Sequence, residues 1–203
     1  MKKLHFYVLT AIFAGILFAS CTKTEARGDK EAEKPLTAKE VAATAAESNI
    51  LKASENRLTF STKDLDGNTV TSDIFENYDV TLVNIWGTFC GPCKTELPHL
   101  EAAYKAYADK KVNVIGITAD LPQDDAETLA LAKTIWKDAG CTFKALVTVD
   151  SFLPMYEQLA GFPTSFMVDK KGQLIPGTLH LGSLSKEGFE KPFDKALKAV
   201  ASK

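Results

Sequence analysis

The sequence predicts an α/β fold with a central mixed β-sheet flanked by helices and preceded by a β-hairpin. From residue 58 onward, apolar strand-like segments alternate with amphipathic helical segments, which is typical of parallel strands joined by helices. The turn "DKKG" at 169–172 leads into a further strand-like segment, which adds an antiparallel edge. The chain has 203 residues, of which 45% are hydrophobic, and this is enough for one domain with a packed core.

Residues 1–20 have the pattern of an export signal. They contain a basic start, an apolar stretch at 6–18 and the small pair Ala19-Ser20. The next residue is Cys21, and "LFASC" resembles the bacterial lipobox. This resemblance implies cleavage before Cys21 and attachment of lipid to its sulfur. The alternative is an ordinary signal peptide followed by an incidental cysteine.

Residues 21–54 are expected to form a flexible tether ahead of a domain at 55–203. The segment is rich in Lys, Glu, Ala and Thr and contains no aromatic residue. Such a composition favours a solvated chain over a packed one.

The first elements of the domain surround a buried strand. Two short strand-like runs flank Asp66-Gly67, a pair suited to a tight hairpin turn. The segment "DVTLVNIWG" at 79–87 is apolar without alternation, as expected of a strand buried on both faces. A helix follows, because apolar residues then recur at helical spacing. These residues are Cys93, Leu97, Leu100, Tyr104 and Tyr107.

The rest of the domain continues the alternation. The expected elements are a strand at 111–118, a helix at 123–139, a strand at 142–150, a short helix at 152–160, a strand after Gly161 and a terminal helix with Phe189, Phe193, Leu197 and Val200 on one side. Cys141 begins the strand at 142–150 and shares a face with Phe143. We therefore interpret Cys141 as a small buried hydrophobe rather than a third redox thiol.

Cys90 and Cys93 lie at the predicted start of the first helix. Unpaired N–H groups and the helix dipole favour a thiolate at this end, so Cys90 is the expected nucleophile. Cys93 follows one turn later on the apolar side. It should therefore be buried and able to attack a mixed disulfide formed at Cys90.

Two other uses of this cysteine pair find little support. A structural zinc site needs four ligands, whereas the chain has no second CxxC and its three histidines are scattered. A structural disulfide across two residues would close a very short loop and gain little stability. The pattern predicts redox exchange at a Cys90–Cys93 disulfide, with no metal and no cofactor.

The segment "VNIWGTFCGPCKTELP" at 83–98 resembles the active site of the thioredoxin superfamily. Together with the lipobox, the leading hairpin and "GFPTSFMVDKKGQL" at 161–174, it looks like the membrane-tethered TlpA/ResA branch of bacterial thiol-disulfide oxidoreductases. The resemblance covers residues 55–203. It implies a thioredoxin-like fold with a central helix-and-strand insertion at about 119–149, and a kink of the active-site helix at Pro98.

The same resemblance implies a substrate-binding surface beside the cysteines. Pro163 is the expected cis-proline, and Phe162 before it would offer backbone hydrogen bonds to an extended substrate strand. Phe89 should form an apolar rim for docking. Trp86 is expected to shield the disulfide or to pack beneath it.

Asn84 stands where thioredoxin carries a buried aspartate, so that proton acceptor is missing. Glu96, one turn beyond Cys93, is the natural substitute. Our hypothesis is that Glu96 tunes the pair by taking the proton of Cys93. The alternative is an ordinary exposed helix glutamate.

The Gly-Pro pair between the cysteines favours reduction, since reducing thioredoxins lie near roughly −270 mV and the oxidant DsbA near about −120 mV. The resemblance implies a membrane thiol transporter of the CcdA or DsbD type as electron donor. Candidate acceptors are apocytochrome c, a methionine sulfoxide reductase or other disulfide-bonded envelope proteins. Acidic and basic residues nearly cancel, at 26 against 24, so no broad positive field exists to attract nucleic acid.

Three alternative functions stay open. One is an oxidising, disulfide-forming protein of the same fold. Another is a non-catalytic copper chaperone or binding lipoprotein, which would need metal ligands near the pair, where the sequence offers no suitable histidine. The third is a peroxiredoxin-like thiol peroxidase, which needs a Thr three residues before its peroxidatic cysteine. Thr88 lies only two residues before Cys90.

Overall fold

The computed structural model describes residues 57–202. The predicted signal peptide at 1–20, the lipidation site Cys21 and the tether at 21–54 lie outside these residues. In the described part, no helix is both long enough and apolar enough to span a bilayer.

Within residues 57–202 the chain forms seven strands and four α-helices. The strands are β1 (Ser61–Lys63), β2 (Thr69–Thr71), β3 (Val80–Trp86), β4 (Val112–Pro122), β5 (Lys144–Thr148), β6 (Thr164–Asp169) and β7 (His180–Leu181). The helices are α1 (Gly91–Ala106), α2 (Ala126–Asp138), α3 (Leu153–Tyr156) and α4 (Lys186–Ala201), and short 3-10 helices cover Ser72–Asn77 and Asp150–Phe152.

Five strands form the predicted mixed sheet, in the order β5-β4-β3-β6-β7. Strand β4 pairs in parallel with both β3 and β5, whereas β6 pairs antiparallel with both β3 and β7. Strands β1 and β2 form the predicted hairpin as a separate two-stranded sheet. Helix α2 and strand β5 occupy the predicted insertion, so the insertion supplies one edge of the sheet.

The central strand β3 is buried along all seven residues, as its unbroken apolar sequence predicts. Its side chains alternate between two cores, one on each face of the sheet. Val80, Leu82 and Trp86 pack with the inner sides of α1, α2 and α4. Val83 and Ile85 pack on the opposite face, with the hairpin and the segment around α3.

Three predicted elements differ from those observed. The strand expected at 142–150 is limited to Lys144–Thr148, so Cys141 precedes it rather than beginning it. The helix expected at 152–160 is a 3-10 turn followed by the single turn α3. The late strand-like stretch pairs with β6 only through an isolated bridge at Leu174 and the two residues of β7. Pro176-Gly177 interrupts this stretch, because proline cannot donate to a strand ladder.

Gly116 on β4 lies against the two tryptophans of the core. A Cβ atom at this position would lie 2.6 Å from Cη2 of Trp136 and 3.3 Å from Nε1 of Trp86. We expect Gly116→Ala to lower the free energy of unfolding by roughly 1–3 kcal/mol, because the core would be overpacked. Urea unfolding followed by circular dichroism measures the change. Gly91→Ala is the control, since a Cβ there has no heavy atom within 4 Å; an equal loss in both variants would contradict the explanation.

Candidate active site

Helix α1 begins at the cysteine pair, as predicted. Cys90 is the N-cap residue, and its sulfur accepts a hydrogen bond from the backbone N–H of Cys93 at 3.2 Å. Pro92 occupies the first turn, where a missing N–H costs nothing. The sulfur of Cys90 thus lies at the positive end of the helix, where a thiolate is favoured.

The two cysteines form a disulfide, with their Cα atoms 5.3 Å apart. Cys93 is fully buried, whereas Cys90 retains 7% exposure. Space beside Gly91 is open, because a Cβ atom there would meet no heavy atom within 4 Å. An incoming thiol or disulfide therefore reaches Cys90 first.

Glu96 is buried inside the domain, at 1% exposure. One carboxylate oxygen accepts a hydrogen bond from Nδ2 of Asn84 at 2.7 Å, and the other accepts one from the backbone N–H of Leu184 at 3.0 Å. Burial raises the pKa of Glu96 to about 7, although both hydrogen bonds act in the opposite direction. The alternative of an exposed helix glutamate is therefore wrong.

Asn84 connects Glu96 to the strand that follows the cis-proline. Its Nδ2 atom donates to Oγ of Ser165 at 3.0 Å as well as to Glu96. Asn84 is fully buried, and its Oδ1 atom has no hydrogen-bond partner. The side-chain amide of Asn84 thus donates a hydrogen bond to the carboxylate of Glu96. A carboxylate at position 84 would have no N–H to donate.

The raised pKa of Glu96 predicts a pH-dependent stability for the oxidised protein. The folded state keeps the proton up to about pH 7, whereas the unfolded chain loses it near its ordinary value of 4.5. Stability contributed by the neutral acid is therefore complete below pH 4.5 and is lost as the pH rises to 7, at up to about 1.4 kcal/mol per pH unit. Urea unfolding at several pH values should show this slope, and Glu96→Gln should remove it. An unchanged slope in the variant would contradict the assignment.

Apolar side chains surround the accessible cysteine. Phe89 is 67% exposed, and its ring meets the ring of Phe162 edge to face at 6.0 Å. The Phe162–Pro163 peptide bond is cis, as predicted. Leu181 of β7 is also exposed and lies beside Gly161. Trp86, in contrast, is fully buried and packs on Trp136 with ring centroids 5.2 Å apart, so it supports the site from beneath.

Sequence reasoning missed four residues around the pair: Asp120, Ser165, Leu181 and Leu184. Asp120 accepts hydrogen bonds from both the N–H and the hydroxyl of Thr88. A polar residue near the carboxyl end of a parallel strand, such as Asp120, is a recognisable signal for a residue beside an active site. The contribution of Leu184 is a backbone N–H, which no sequence pattern marks.

Cys141 lies away from this arrangement. It is half-buried, its S–H group donates to the carbonyl oxygen of Leu97 at 3.8 Å, and burial raises its pKa to about 12. Such a thiol is unreactive at neutral pH. In the described part of the chain, no group of three or more His, Cys, Asp or Glu side chains is placed to bind a metal.

Comparisons with known proteins agree with this arrangement. The AhpC/TSA family matches residues 54–175. The thiol-disulfide oxidoreductase ResA of Halalkalibacterium halodurans is 27% identical over 71% of this chain and 77% of its own length. ResA of Bacillus thuringiensis is 31% identical over 57% of this chain and 63% of its own length.

Solved structures show the same fold. A thiol:disulfide interchange protein from Chlorobium tepidum superposes with a TM-score of 0.59 at 24% identity, over 70% of this chain and 95% of that protein. The chain therefore belongs to the AhpC/TSA family and is a thioredoxin-like thiol-disulfide oxidoreductase.

Proposed function

We propose that this protein reduces the disulfides of other proteins outside the cytoplasm. The observation that carries the proposal is the cysteine pair itself. Cys90 caps α1 and keeps 7% exposure, and Cys93 lies fully buried one turn behind it, three residues before the buried Glu96. This arrangement separates an attacking thiol from a resolving one.

The cycle starts from the dithiol. The Cys90 thiolate attacks one sulfur of the target disulfide, and the other target sulfur leaves as a thiolate. Cys93 then loses its proton and attacks the sulfur of Cys90. The second target sulfur is released as a thiol, and Cys90 and Cys93 are left joined in a disulfide. Two electrons have passed to the target.

Glu96 is our candidate for the group that takes the proton of Cys93. It lies on the same side of α1, because residues three apart are neighbours on a helix. A carboxylate with a pKa of about 7 is ionised in half of the molecules at neutral pH, so it can both accept and return a proton there. Asn84 and the N–H of Leu184 hold it in place.

The target strand is expected to bind between Phe89 and the cis-proline loop. Pro163 has no N–H, and the backbone of Phe162 would pair with an extended peptide beside Cys90. The exposed ring of Phe89 and the half-buried ring of Phe162 supply apolar contact area.

The location rests on the leader sequence. A signal peptide at 1–20, a lipid on Cys21 and a tether at 21–54 would hold the domain at 55–203 on the outer face of the membrane. Electrons would then come through the membrane, from a thiol transporter of the CcdA or DsbD type. Apocytochrome c and methionine sulfoxide reductase are candidate acceptors.

The reduction potential of the pair tests the direction of exchange. Equilibration with dithiothreitol should place the Cys90–Cys93 couple near roughly −270 mV, and the reduced protein should reduce a disulfide-bonded protein stoichiometrically. A value near about −120 mV would instead support the disulfide-forming alternative.

A peroxiredoxin-like peroxidase has less support. The hydroxyl of Thr88 already donates a hydrogen bond to Oδ2 of Asp120 at 2.6 Å. Peroxide consumption without any protein disulfide present would support the peroxidase alternative.

A further inference from the structure

The half-buried carboxylate of Asp120 faces the loop that carries the nucleophile. Asp120 lies on β4 between Thr118 and Pro122, where the pairing of β4 with β5 changes register. Irregularities of this kind re-aim side chains and are common beside active sites. Both carboxylate oxygens accept from the N–H of Thr88 at 3.0 Å, and Oδ2 also accepts from its hydroxyl at 2.6 Å.

Thr88 belongs to a tight turn that ends at the nucleophile. The N–H of Cys90 donates to the carbonyl oxygen of Gly87 at 3.0 Å, which places Thr88 and Phe89 at the two central positions. A Cβ on Gly87 would lie 2.6 Å from the ring of Phe89, so a side chain there would displace this ring. The hydrogen bonds that Thr88 donates to Asp120 therefore fix a turn that orients both Phe89 and Cys90.

The same carboxylate places a negative charge near the reacting sulfur. Thr88 and Cys90 are two residues apart, so their Cα atoms are at most about 7.6 Å apart. One unit charge at about 10 Å in partly buried surroundings changes the pKa of a thiol by about one. The charge of Asp120 thus opposes the helix N-terminus, which favours the thiolate.

Other ionisable groups near this turn include Tyr156, Lys94 and Glu96. Tyr156 faces Asp120, and burial raises its pKa to about 12, so it stays neutral in the working range. On the first turns of α1, Lys94 is exposed and Glu96 is buried on the side of Cys93.

We propose that Asp120 is a positioning residue for Cys90: its carboxylate fixes the turn that carries the nucleophile, and its charge makes the dithiol a better electron donor. A thiolate that is less stable in the reduced protein gives up its electrons more readily. The inference rests on the proposed function, because it explains how the pair is kept reducing.

Asp120→Asn tests the charge while keeping the size of the side chain. In the reduced full-length chain, the rate of iodoacetamide alkylation at Cys90 is followed against pH by mass spectrometry of the Cys90 peptide. We expect the pKa of Cys90 to fall by about 0.5 to 1. At a pH above the pKa of Cys90, the equilibrium with dithiothreitol should shift toward the dithiol by about three- to tenfold. Asp124→Asn removes an exposed charge from the turn that follows β4 and should leave both values unchanged.

Asp120→Ala separates the structural role, because it removes the hydrogen bonds as well as the charge. If Asp120→Asn matches the wild type in both measurements while Asp120→Ala only lowers the melting temperature, the inference is overturned. An equal shift in Asp124→Asn would overturn it too. If the wild type reduces no protein disulfide, the proposed function fails. The pKa of Cys90 in Asp120→Asn, compared with Asp124→Asn, still decides the role of Asp120.

Discussion

Replacing Cys93 with Ser is expected to leave the protein covalently joined to its targets through Cys90. Cys90 keeps its place as the N-cap of α1 and remains accessible, so the first exchange proceeds. The buried position one turn later then holds a hydroxyl, which does not attack a disulfide at neutral pH. The mixed disulfide therefore accumulates and turnover falls to background. Non-reducing electrophoresis of envelope extracts, with mass spectrometry of the bands released by dithiothreitol, measures the adducts.

Two controls make this prediction specific. Cys90→Ser should form no adduct and show no turnover, because Cys93 has 0% exposure and cannot reach a protein target. Cys141→Ser should behave like the wild type, since the pKa of Cys141 is raised to about 12 by burial. Adducts that form through Cys93 in the Cys90→Ser variant would mean that the roles of the two cysteines are reversed.

The sequence predicted the parts of this fold that depend on local patterns. The unbroken apolar run of β3 and the helical spacing behind Cys93 each describe one element on its own. The start of α1 followed from Pro92 and the cysteine pair. Strand β7 was harder to predict, because its length is set by Pro176-Gly177 and by Thr178, whose hydroxyl accepts from the N–H of Met167 at 3.0 Å and so takes the place of a strand partner.

Contacts between distant residues in the candidate site could not be predicted in this way. Asn84 and Glu96 are 12 residues apart and meet only because α1 packs on the face of β3 that carries Asn84. Thr88 and Asp120 are 32 residues apart, and their contact depends on the change of register after Thr118. Glutamate is a common exposed helix residue, so the burial of Glu96 follows from tertiary packing and not from its own sequence context.

Replacing Glu96 with Gln is expected to slow the resolution of the mixed disulfide by about a hundredfold, which is the size of a lost general base. The carboxylate must be ionised to accept the proton of Cys93. In the wild type, the resolving rate should therefore rise as the pH passes about 7, the raised pKa of Glu96. In the variant that rise should disappear, and the rate should follow the ionisation of Cys93 alone. Stopped-flow measurement of target release between pH 5.5 and about 8.5 tests this.

Glu101→Gln is the matched control for a buried glutamate on the same helix. Glu101 is 5% exposed and accepts hydrogen bonds from the N–H and hydroxyl of Thr142, and it pairs with Lys105 at 2.9 Å. Its loss should lower stability without changing the resolving rate or its pH profile. Equal slowing in both variants would mean that the effect comes from the folding of α1. Glu96 would then not be the group that accepts the proton of Cys93. Slowing confined to Glu96→Gln, together with the loss of the rise near pH 7, assigns the proton of Cys93 to this carboxylate.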